Sequence, residues 1–252
     1  MADVNKEEKE ESLEQIKRTI GGKDSFRPED VPPAVLKRLP RYFRYLRELI
    51  RMGKSRVSSY ELANMMNVTA SQIRQDLNWF GGFGQQGYGY NVNYLYTKIC
   101  ELLGVGCGFR AAVFGAGHLG SALVSSPMFE KRGIDVVALF DVDEKLIGKK
   151  IKDAEIYHMD ELEAKVEEFQ IDVAILTLPK EFAVQTAQRL EKAGIYGIWN
   201  FTGKELELDR NDIVVENVHL GDSLMILCYE VARKENERIS ELANKKEDGI
   251  QG

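Results

Sequence analysis

The segment that most constrains the fold is Gly115-Ala116-Gly117-His118-Leu119-Gly120, which has the spacing G-x-G-x-x-G. An apolar run precedes it at residues 111–114, and a helical pattern follows it. In that setting the first glycine permits a tight turn, the second lets a pyrophosphate approach the backbone, and the third lets the helix pack on the sheet. Asp141 ends the next apolar run, 21 residues beyond Gly120, where a carboxylate can bind a ribose 2′-hydroxyl. The motif therefore predicts a site for NAD(H) rather than NADP(H), and the alternative is a strand–helix turn that needs glycines but binds nothing.

Strand and helix patterns alternate around this motif. Apolar runs lie at residues 111–114, 136–140, 173–178 and 197–201, separated by helical segments of 10 to 20 residues. Such alternation is typical of a parallel sheet with crossover helices. We therefore expect an α/β fold with a Rossmann-type doubly wound sheet over residues 93–218, entered through a linking helix. A C-terminal helix is expected over residues 219–242, followed by a flexible tail over residues 243–252.

Residues 33–92 have a different pattern, that of a small helical module. Apolar residues recur at intervals of three and four from Leu36 to Ile50, which predicts a helix with one buried face. Ser58-x-x-Glu61 and Thr69-x-x-Gln72 resemble capping boxes and predict the starts of two short helices. Glycines and aromatic residues alternate over residues 81–90, as in a small hairpin. This order outlines a winged helix-turn-helix, whose third helix would expose Ser71, Arg74, Gln75 and Asn78.

Charge is divided unevenly between the two regions. The whole chain carries −6, yet residues 34–90 hold nine basic and three acidic residues. Residues 91–252 hold a net −9, so a basic module is joined to an acidic one. This asymmetry favours nucleic acid as a partner of the first module. Residues 1–32 are charged and interrupted by prolines, which indicates a solvated tail more than a short helix.

Several classes of protein are disfavoured. No apolar run approaches the roughly 18 residues that span a bilayer, and the charged N-terminus is unlike a secretory signal peptide. The three cysteines (100, 107 and 228) have no metal-ligand spacing and indicate reduced thiols in the cytoplasm. No metal-ligand cluster, Tyr-x-x-x-Lys pair or nucleophile elbow is found, and the three histidines do not suggest a general acid or base. We therefore expect no metal and no catalytic residues.

Taken together, the two modules resemble one family, Rex, the redox-sensing transcriptional repressors of bacteria. The resemblance covers about residues 33–232. It rests on Arg38-Leu39-Pro40-Arg41-Tyr42, Val57-Ser58-Ser59, Ser71-Gln72-Ile73-Arg74-Gln75-Asp76-Leu77, Gly89-Tyr90-Asn91-Val92, the glycine motif with Phe114, Phe140-Asp141-Val142-Asp143, Asn200-Phe201 and Val215-Glu216-Asn217-Val218.

The resemblance implies a homodimer that exchanges its C-terminal helix and binds an A/T-rich pseudo-palindromic operator. It implies that the dimer binds this DNA when NADH is low and releases it when NADH binds. The expected contacts with NAD or NADH come from Gly115, Ala116, Gly117, His118, Leu119, Gly120, Asp141, Val142, Leu178, Pro179 and Asn200. The expected DNA contacts come from Lys54, Arg56, Ser58, Ser59, Ser71, Arg74, Gln75, Gln86 and Tyr88, with Arg74 on a base.

The chain departs from the family at positions that matter for both functions. Gln75 in the third helix, and Gln85 and Gln86 in the wing, stand where the family usually has basic residues, which predicts weaker or differently specified operator binding. The family couples an arginine, here Arg44, to a tyrosine and an aspartate, whose positions hold Ser126 and His219. We therefore expect an attenuated or rewired response to NADH.

Two other functions remain open from the sequence alone. One is a Rex-like NAD-binding dimer with a structural or non-redox regulatory role. The other is an NAD-dependent oxidoreductase with an accessory domain.

Overall fold

The computed structural model describes residues 31–79 and 88–248, with side chains described as far as Ile239. The chain divides into two units, each described here by itself. The first unit runs to Arg110 and also takes in Ser126–Val136, while the second holds Ala111–Ser125 and the chain from Val137. The predictions for most of the N-terminal tail, for Gln85 and Gln86 in the wing, and for the last four residues lie outside the described residues.

Five α-helices, a two-stranded sheet and the short 3₁₀ helix Glu130–Arg132 lie in the described part of the first unit. The antiparallel strands pair Arg56 with Asn91 and Val57 with Tyr90, so the described end of the glycine-rich stretch pairs with residues that precede the helix-turn-helix. The elements are α1 Pro33–Leu36, α2 Leu39–Arg51, β1 Arg56–Val57, α3 Ser59–Met66, α4 Ala70–Asn78, β2 Tyr90–Asn91 and α5 Val92–Leu102.

Local sequence signals set the ends of these helices. The Ser58 hydroxyl accepts the Glu61 backbone N–H, and the Glu61 carboxylate accepts the Ser58 N–H, so the predicted capping box at α3 is confirmed. Thr69 caps α4 by accepting the Gln72 N–H. Asn67 takes a left-handed conformation with φ of 49° and makes the turn between α3 and α4. The helix-turn-helix therefore follows from short-range chemistry.

The core of the first unit also contains the helix that the sequence analysis treated as a linker. Leu95, Tyr96 and Ile99 of α5 are fully buried with Leu39 and Leu46 of α2. The first unit accordingly includes this helix and continues to Arg110, whereas the sequence prediction assigned residues 93–110 to the Rossmann region.

The elements of the Rossmann region are β3 Phe109–Phe114, α6 His118–Ser125, β4 Ile134–Asp141, β5 Lys150–Ile151, β6 Ala154–His158, α7 Leu162–Phe169, β7 Val173–Leu176, α8 Ala183–Lys192, β8 Gly197–Asn200 and β9 Val214–Asn217. Its strands form a seven-stranded sheet with the order β5-β6-β4-β3-β7-β8-β9. Strands β4–β6, β3–β7, β7–β8 and β8–β9 pair in parallel, and β5 is antiparallel to β6. The order proceeds in opposite directions from β3, which confirms the doubly wound arrangement and leaves a crevice at the carboxyl ends of β3 and β7.

The last helix, α9, spans Leu220–Asp248 and is longer than expected. Its described side chains up to Ile239 are exposed with the exception of Glu230, and they include large apolar residues such as Leu224, Leu227 and Val231. A helix with so much exposed apolar surface requires a partner to cover it. Among the described residues, no helix is both long and apolar enough to cross a membrane.

Candidate dinucleotide and DNA sites

The glycine motif makes the turn between β3 and α6. Gly115 has φ of +104°, and a Cβ there would lie 2.8 Å from the backbone nitrogen of Leu178. A Cβ on Gly120 would lie only 2.0 Å from the carbonyl oxygen of Gly115. The first and third glycines therefore permit the turn and its close packing, as the motif predicts.

Gly117, the middle glycine, has a different environment. A Cβ there would meet no atom within 4 Å, and the residue lines a cleft of about 650 Å³. It directly precedes α6, whose first backbone N–H groups have no partner within the helix and attract anions. This open cradle, which a side chain would fill, fits the pyrophosphate of a dinucleotide.

The cleft lies at the carboxyl ends of β3, β4 and β7, the usual position of a ligand in this fold. Its size and mainly apolar walls suit a dinucleotide with a few directing polar groups. Of the predicted cofactor residues, those that line it are Gly115, Gly117, Asp141, Val142, Leu178 and Pro179.

Asp141 at the end of β4 holds the glycine-rich loop as well as lining the cleft. Its Oδ2 accepts the Ala116 N–H at 2.7 Å, and its Oδ1 accepts the N–H groups of Val142 and Asp143 at 2.8 and 3.0 Å. Oδ2, which accepts one hydrogen bond, retains a lone pair for a further donor, whereas both lone pairs of Oδ1 are used. The arrangement is compatible with a ribose hydroxyl and unfavourable for a 2′-phosphate, because both groups would be anionic.

Thr177 was not identified from the sequence. Its hydroxyl contacts the carbonyl oxygen of Gly115 at 2.8 Å and that of Phe114 at 3.2 Å, and the residue lines the cleft. Thr177 therefore holds the glycine-rich loop in place from the neighbouring strand, β7. The sequence feature that could have identified Thr177 is its position directly after β7, at the edge of the sheet where ligands bind in this fold. The cleft wall includes further residues absent from the sequence prediction: Phe140, Met159, Asp160, Phe182, Gln185, Thr186 and Arg189.

The other predicted cofactor residues do not line this cleft. Ala116 is buried, His118 and Leu119 are exposed in the first turn of α6, and Gly120 packs beneath the loop. The side chain of Asn200 is buried and engaged elsewhere. Its amide donates to Lys204 and Asn217, and its oxygen accepts from Thr202, so it stabilises the turn after β8.

The second site lies on α4 of the first unit. The helix buries Ile73 and Leu77 and exposes the four polar residues that the spacing predicts for the recognition face. An Arg74 guanidinium N–H donates to the Ser59 hydroxyl at 3.3 Å, which brings two of the predicted DNA contacts together. Arg74 and Gln75 are both exposed on this face of α4.

A buried carboxylate, Asp76, anchors α4 from its inner face. It accepts two hydrogen bonds from the Arg38 guanidinium, each 2.7 Å, one from the Tyr42 hydroxyl at 2.9 Å and one from the Gln72 amide at 2.9 Å. Burial alone would raise the pKa of Asp76, but these donors outweigh it and hold the pKa below its usual value. The role of Asp76 in positioning the recognition helix was not predicted from the sequence.

The remaining described DNA candidates lie around β1 and the start of α3. Arg56 donates to the Tyr88 carbonyl oxygen at 3.3 Å, and its guanidinium carbon lies 6.0 Å from the centre of the Tyr88 ring. Lys54 pairs with Glu61 at 2.5 Å. Lys54 and the bonds with Ser58 lower the pKa of Glu61 to about 2, so the lysine charge is partly neutralised locally.

The three predicted switch residues are separated by the division into units. Arg44 on α2 and Ser126 line one cleft of the first unit. His219 belongs to the second unit and is exposed immediately before α9.

A helix-turn-helix with an exposed polar face, followed by a dinucleotide-type Rossmann unit, combines a DNA-binding module with a ligand-binding module, as ligand-responsive transcriptional regulators do. Family models agree with this division. Residues 30–78 match the family described as "Putative DNA-binding protein N-terminus", and residues 109–203 match the family described as "CoA binding domain".

Whole-chain relatives identify the family. This chain is similar to two redox-sensing transcriptional repressors named Rex. The one from Caldicellulosiruptor saccharolyticus is 46% identical over 83% of this chain and 95% of the relative. The one from Clostridium beijerinckii is 48% identical over 80% of this chain and 95% of the relative. A crystal structure of RSP, described as bound to β-NAD⁺ and operator DNA, matches with a TM-score of 0.76 and 45% identity over 84% of this chain and 98% of that one. RSP described as bound to β-NADH matches with a TM-score of 0.76 and 42% identity over 83% and 98%. The chain belongs to the Rex family.

Proposed function

We propose that this protein is a transcriptional repressor that senses the NADH/NAD⁺ ratio, binding operator DNA when NADH is low and releasing it when NADH binds. The observation that carries the proposal is the match of both units to RSP, whose structures are described with NAD⁺ and operator DNA and with NADH. The open cradle at Gly117 suits the dinucleotide, and the exposed face of α4 suits the operator DNA. In keeping with its repressor relatives, we infer that it works as a regulator rather than an enzyme, and in the cytoplasm.

DNA recognition is assigned to α4 in the major groove. Arg74 can donate two hydrogen bonds to a guanine, and Gln75 can pair with an adenine. Lys54, Arg56 and the serines at the start of α3 are assigned to phosphates. Since Gln75 is neutral and Lys54 already pairs with Glu61, fewer cations are available for phosphate, and the affinity should be modest.

The response to redox state requires a difference between two very similar ligands. Contacts with the adenosine and pyrophosphate are common to NAD⁺ and NADH and cannot shift an equilibrium. Discrimination must arise at the nicotinamide, which is charged in NAD⁺ and neutral in NADH. We assign this region to the end of the cleft near Leu178 and Pro179. A nearly complete switch needs about 5.5 kcal/mol of differential affinity between the two conformations.

We infer that the protein acts as a homodimer that exchanges α9. The large apolar side chains of this helix are more than half exposed, including Leu224, Met225 and Leu227. Because roughly 60% of each of these side chains is exposed, covering one would contribute about 1–2 kcal/mol, and together they strongly favour association with a second copy. A two-fold dimer presents two α4 helices, which fits a pseudo-palindromic operator.

We further propose that release by NADH is attenuated in this protein. Ser126 has no ring to place beside the nicotinamide, and its hydroxyl accepts the Met128 N–H at 3.3 Å. His219 cannot pair with Arg44 as a carboxylate would, and the protonated form would repel it. The nicotinamide therefore has fewer side-chain contacts through which it could change the conformation of the DNA-binding unit.

Fluorescence anisotropy with a labelled A/T-rich palindrome tests the DNA and redox assignments together. We expect the wild-type protein to bind, NADH to weaken binding, and NAD⁺ to leave it nearly unchanged. Arg74→Ala should cost about 1–3 kcal/mol of binding free energy, whereas Lys192→Ala, at the exposed end of α8, should be neutral. Failure of the protein to bind any such duplex would refute the proposal.

The attenuation has its own test in the same assay. A variant with Ser126→Tyr and His219→Asp should release DNA at lower NADH concentrations than wild type. Equal NADH midpoints for the two proteins, with equal NADH affinity measured calorimetrically, would contradict it.

A further inference from the structure

One hydroxyl in the wall of the dinucleotide cleft has no hydrogen-bond partner in the described part of the chain. It belongs to Thr186 on α8, which is only 3% exposed and lines the cleft. The hydroxyl of Thr177, the other threonine of the cleft, is by contrast hydrogen-bonded to the glycine-rich loop. Burying a hydroxyl without a partner costs free energy, and buried polar groups are normally paired. The exception at Thr186 therefore indicates a partner that enters the cleft.

The packing of α8 does not explain why this residue is a threonine. The buried side of the helix carries Ala183, Thr186, Ala187 and Leu190, which follow the spacing of one helix face. The other three are apolar. Valine has the same branched shape as threonine without the hydroxyl, so packing alone would accept valine here.

The contacts of Arg189, one turn later on α8, show which strands this part of the helix faces. Its guanidinium donates two hydrogen bonds to Glu163, at 2.6 and 2.7 Å, and Glu163 lies near the start of α7. These hydrogen bonds, opposed by burial and supported by the charges of Glu163 and Asp160, raise the pKa of Arg189. Since α7 follows β6, Thr186 and Arg189 lie on the β4–β6 side of the cleft.

That side of the cleft is where the adenosine half of a dinucleotide is expected. Asp141 at the end of β4 is assigned to the ribose 2′-hydroxyl of the adenosine. Close to it the cleft wall is apolar, with the side chains of Phe140, Val142 and Met159. Apolar walls with a few directing polar groups are the usual composition of a site for a ring system such as adenine.

We propose that the hydroxyl of Thr186 binds the edge of the adenine base of the dinucleotide. A threonine hydroxyl both donates and accepts, so it can pair with a ring nitrogen or with the exocyclic amino group of adenine. This assignment rests on the proposed function, which supplies the dinucleotide, and it adds a binding residue outside the glycine motif. Because NAD⁺ and NADH share the adenine, the contact strengthens the binding of both and does not discriminate between them.

Isothermal titration calorimetry of the Thr186→Val variant tests this contact. The probe is ADP-ribose, which has the adenosine and the pyrophosphate but no nicotinamide. We expect ADP-ribose, NAD⁺ and NADH each to bind the variant about three- to tenfold more weakly than the wild type, since one hydrogen bond is lost. Thr97→Val on α5, where the hydroxyl donates to the Asn93 carbonyl oxygen, is the matched control and should leave the affinity for ADP-ribose unchanged.

The stability of the unliganded protein separates a ligand contact from a structural role. Since the Thr186 hydroxyl has no partner among the described residues, Thr186→Val should leave the melting temperature unchanged or raise it. Thr177→Val is the contrasting variant in the same cleft. Its hydroxyl contacts the carbonyl oxygens of Phe114 and Gly115, so this variant should lose thermal stability.

Two results would overturn the assignment. Unchanged affinity of the folded Thr186→Val variant for ADP-ribose would show that the hydroxyl does not touch the adenosine half. A melting temperature lowered as much as that of Thr177→Val would show that the fold itself uses the hydroxyl. Both results leave dinucleotide binding by the wild type intact, whereas the proposed function fails if the wild type binds no dinucleotide or no operator.

Discussion

Replacing the buried carboxylate behind the recognition helix should destabilise the DNA-binding unit. In the Asp76→Ala variant the four hydrogen bonds from Arg38, Tyr42 and Gln72 are lost. The Tyr42 hydroxyl is then left buried without this acceptor, and the Arg38 guanidinium loses its counter-charge. Removing one partner of a buried ion pair typically costs about 3–5 kcal/mol. That is a large share of the stability of a typical domain, about 5–15 kcal/mol.

Urea unfolding combined with hydrogen-exchange mass spectrometry measures this effect locally. Peptides from α2 and α4 should lose protection, while those from the β3–β7 region should not. Asp212→Ala is the matched control, because its ion pair with Arg210 lies on the surface and should contribute little. If Asp76→Ala changed the protection of α4 no more than the control does, the account of how this helix is held would be wrong.

The carboxylate of Asp76 should also make the free energy of unfolding depend on pH. Its pKa is lowered in the folded state, so its contribution to stability is fully present above the unfolded value of about 4 and is lost as the pH falls through the folded value. The wild-type and Asp76→Ala proteins should therefore differ most near neutral pH. Their unfolding free energies should converge in acid, which urea titrations at pH 7 and in acid would show.

Three further perturbations address the other parts of the molecule. Gly117→Ala should fold normally and bind NADH at least tenfold more weakly, because its Cβ enters the open cradle. Circular dichroism checks the fold and calorimetry the affinity for NADH, and undiminished binding would place the pyrophosphate elsewhere. Asp141→Ala should narrow the preference for NADH over NADPH, since a carboxylate that repels a 2′-phosphate is removed; an unchanged affinity ratio would contradict this. Leu224→Asp with Leu227→Asp on α9 should convert a dimer to monomer in sedimentation velocity, whereas a persisting dimer would show that another surface forms the interface.

The sequence predicted strands β3, β4, β7 and β8 but not strands β5, β6 and β9. Strands β3, β4, β7 and β8 are nearly continuous apolar runs because helices cover both faces of a parallel sheet. Strands β5 and β9 are short, carry polar residues and lie at the edges, so they have little hydrophobic signal. The capped helices were predictable because a capping box is a contact between residues three apart.

The parts of the site that depend on distant contacts were not predictable in this way. Thr177 reaches Gly115 across 62 residues, and Arg38 reaches Asp76 across 38. Asn200 was predicted to contact the cofactor because of a family motif, yet in the structure its side chain is used by its own turn. The glycine motif predicted where the loop lies in the chain, whereas the hydrogen bonds that hold the loop could be identified only from the three-dimensional structure.

The most direct test of the central claim is to titrate a preformed operator complex with NADH while occupancy of the dinucleotide cleft is measured in the same sample. The account predicts that DNA dissociates as the cleft fills, that NAD⁺ does not cause this, and that the Gly117→Ala variant remains bound. Saturation of the cleft by NADH with no change in operator affinity would contradict it.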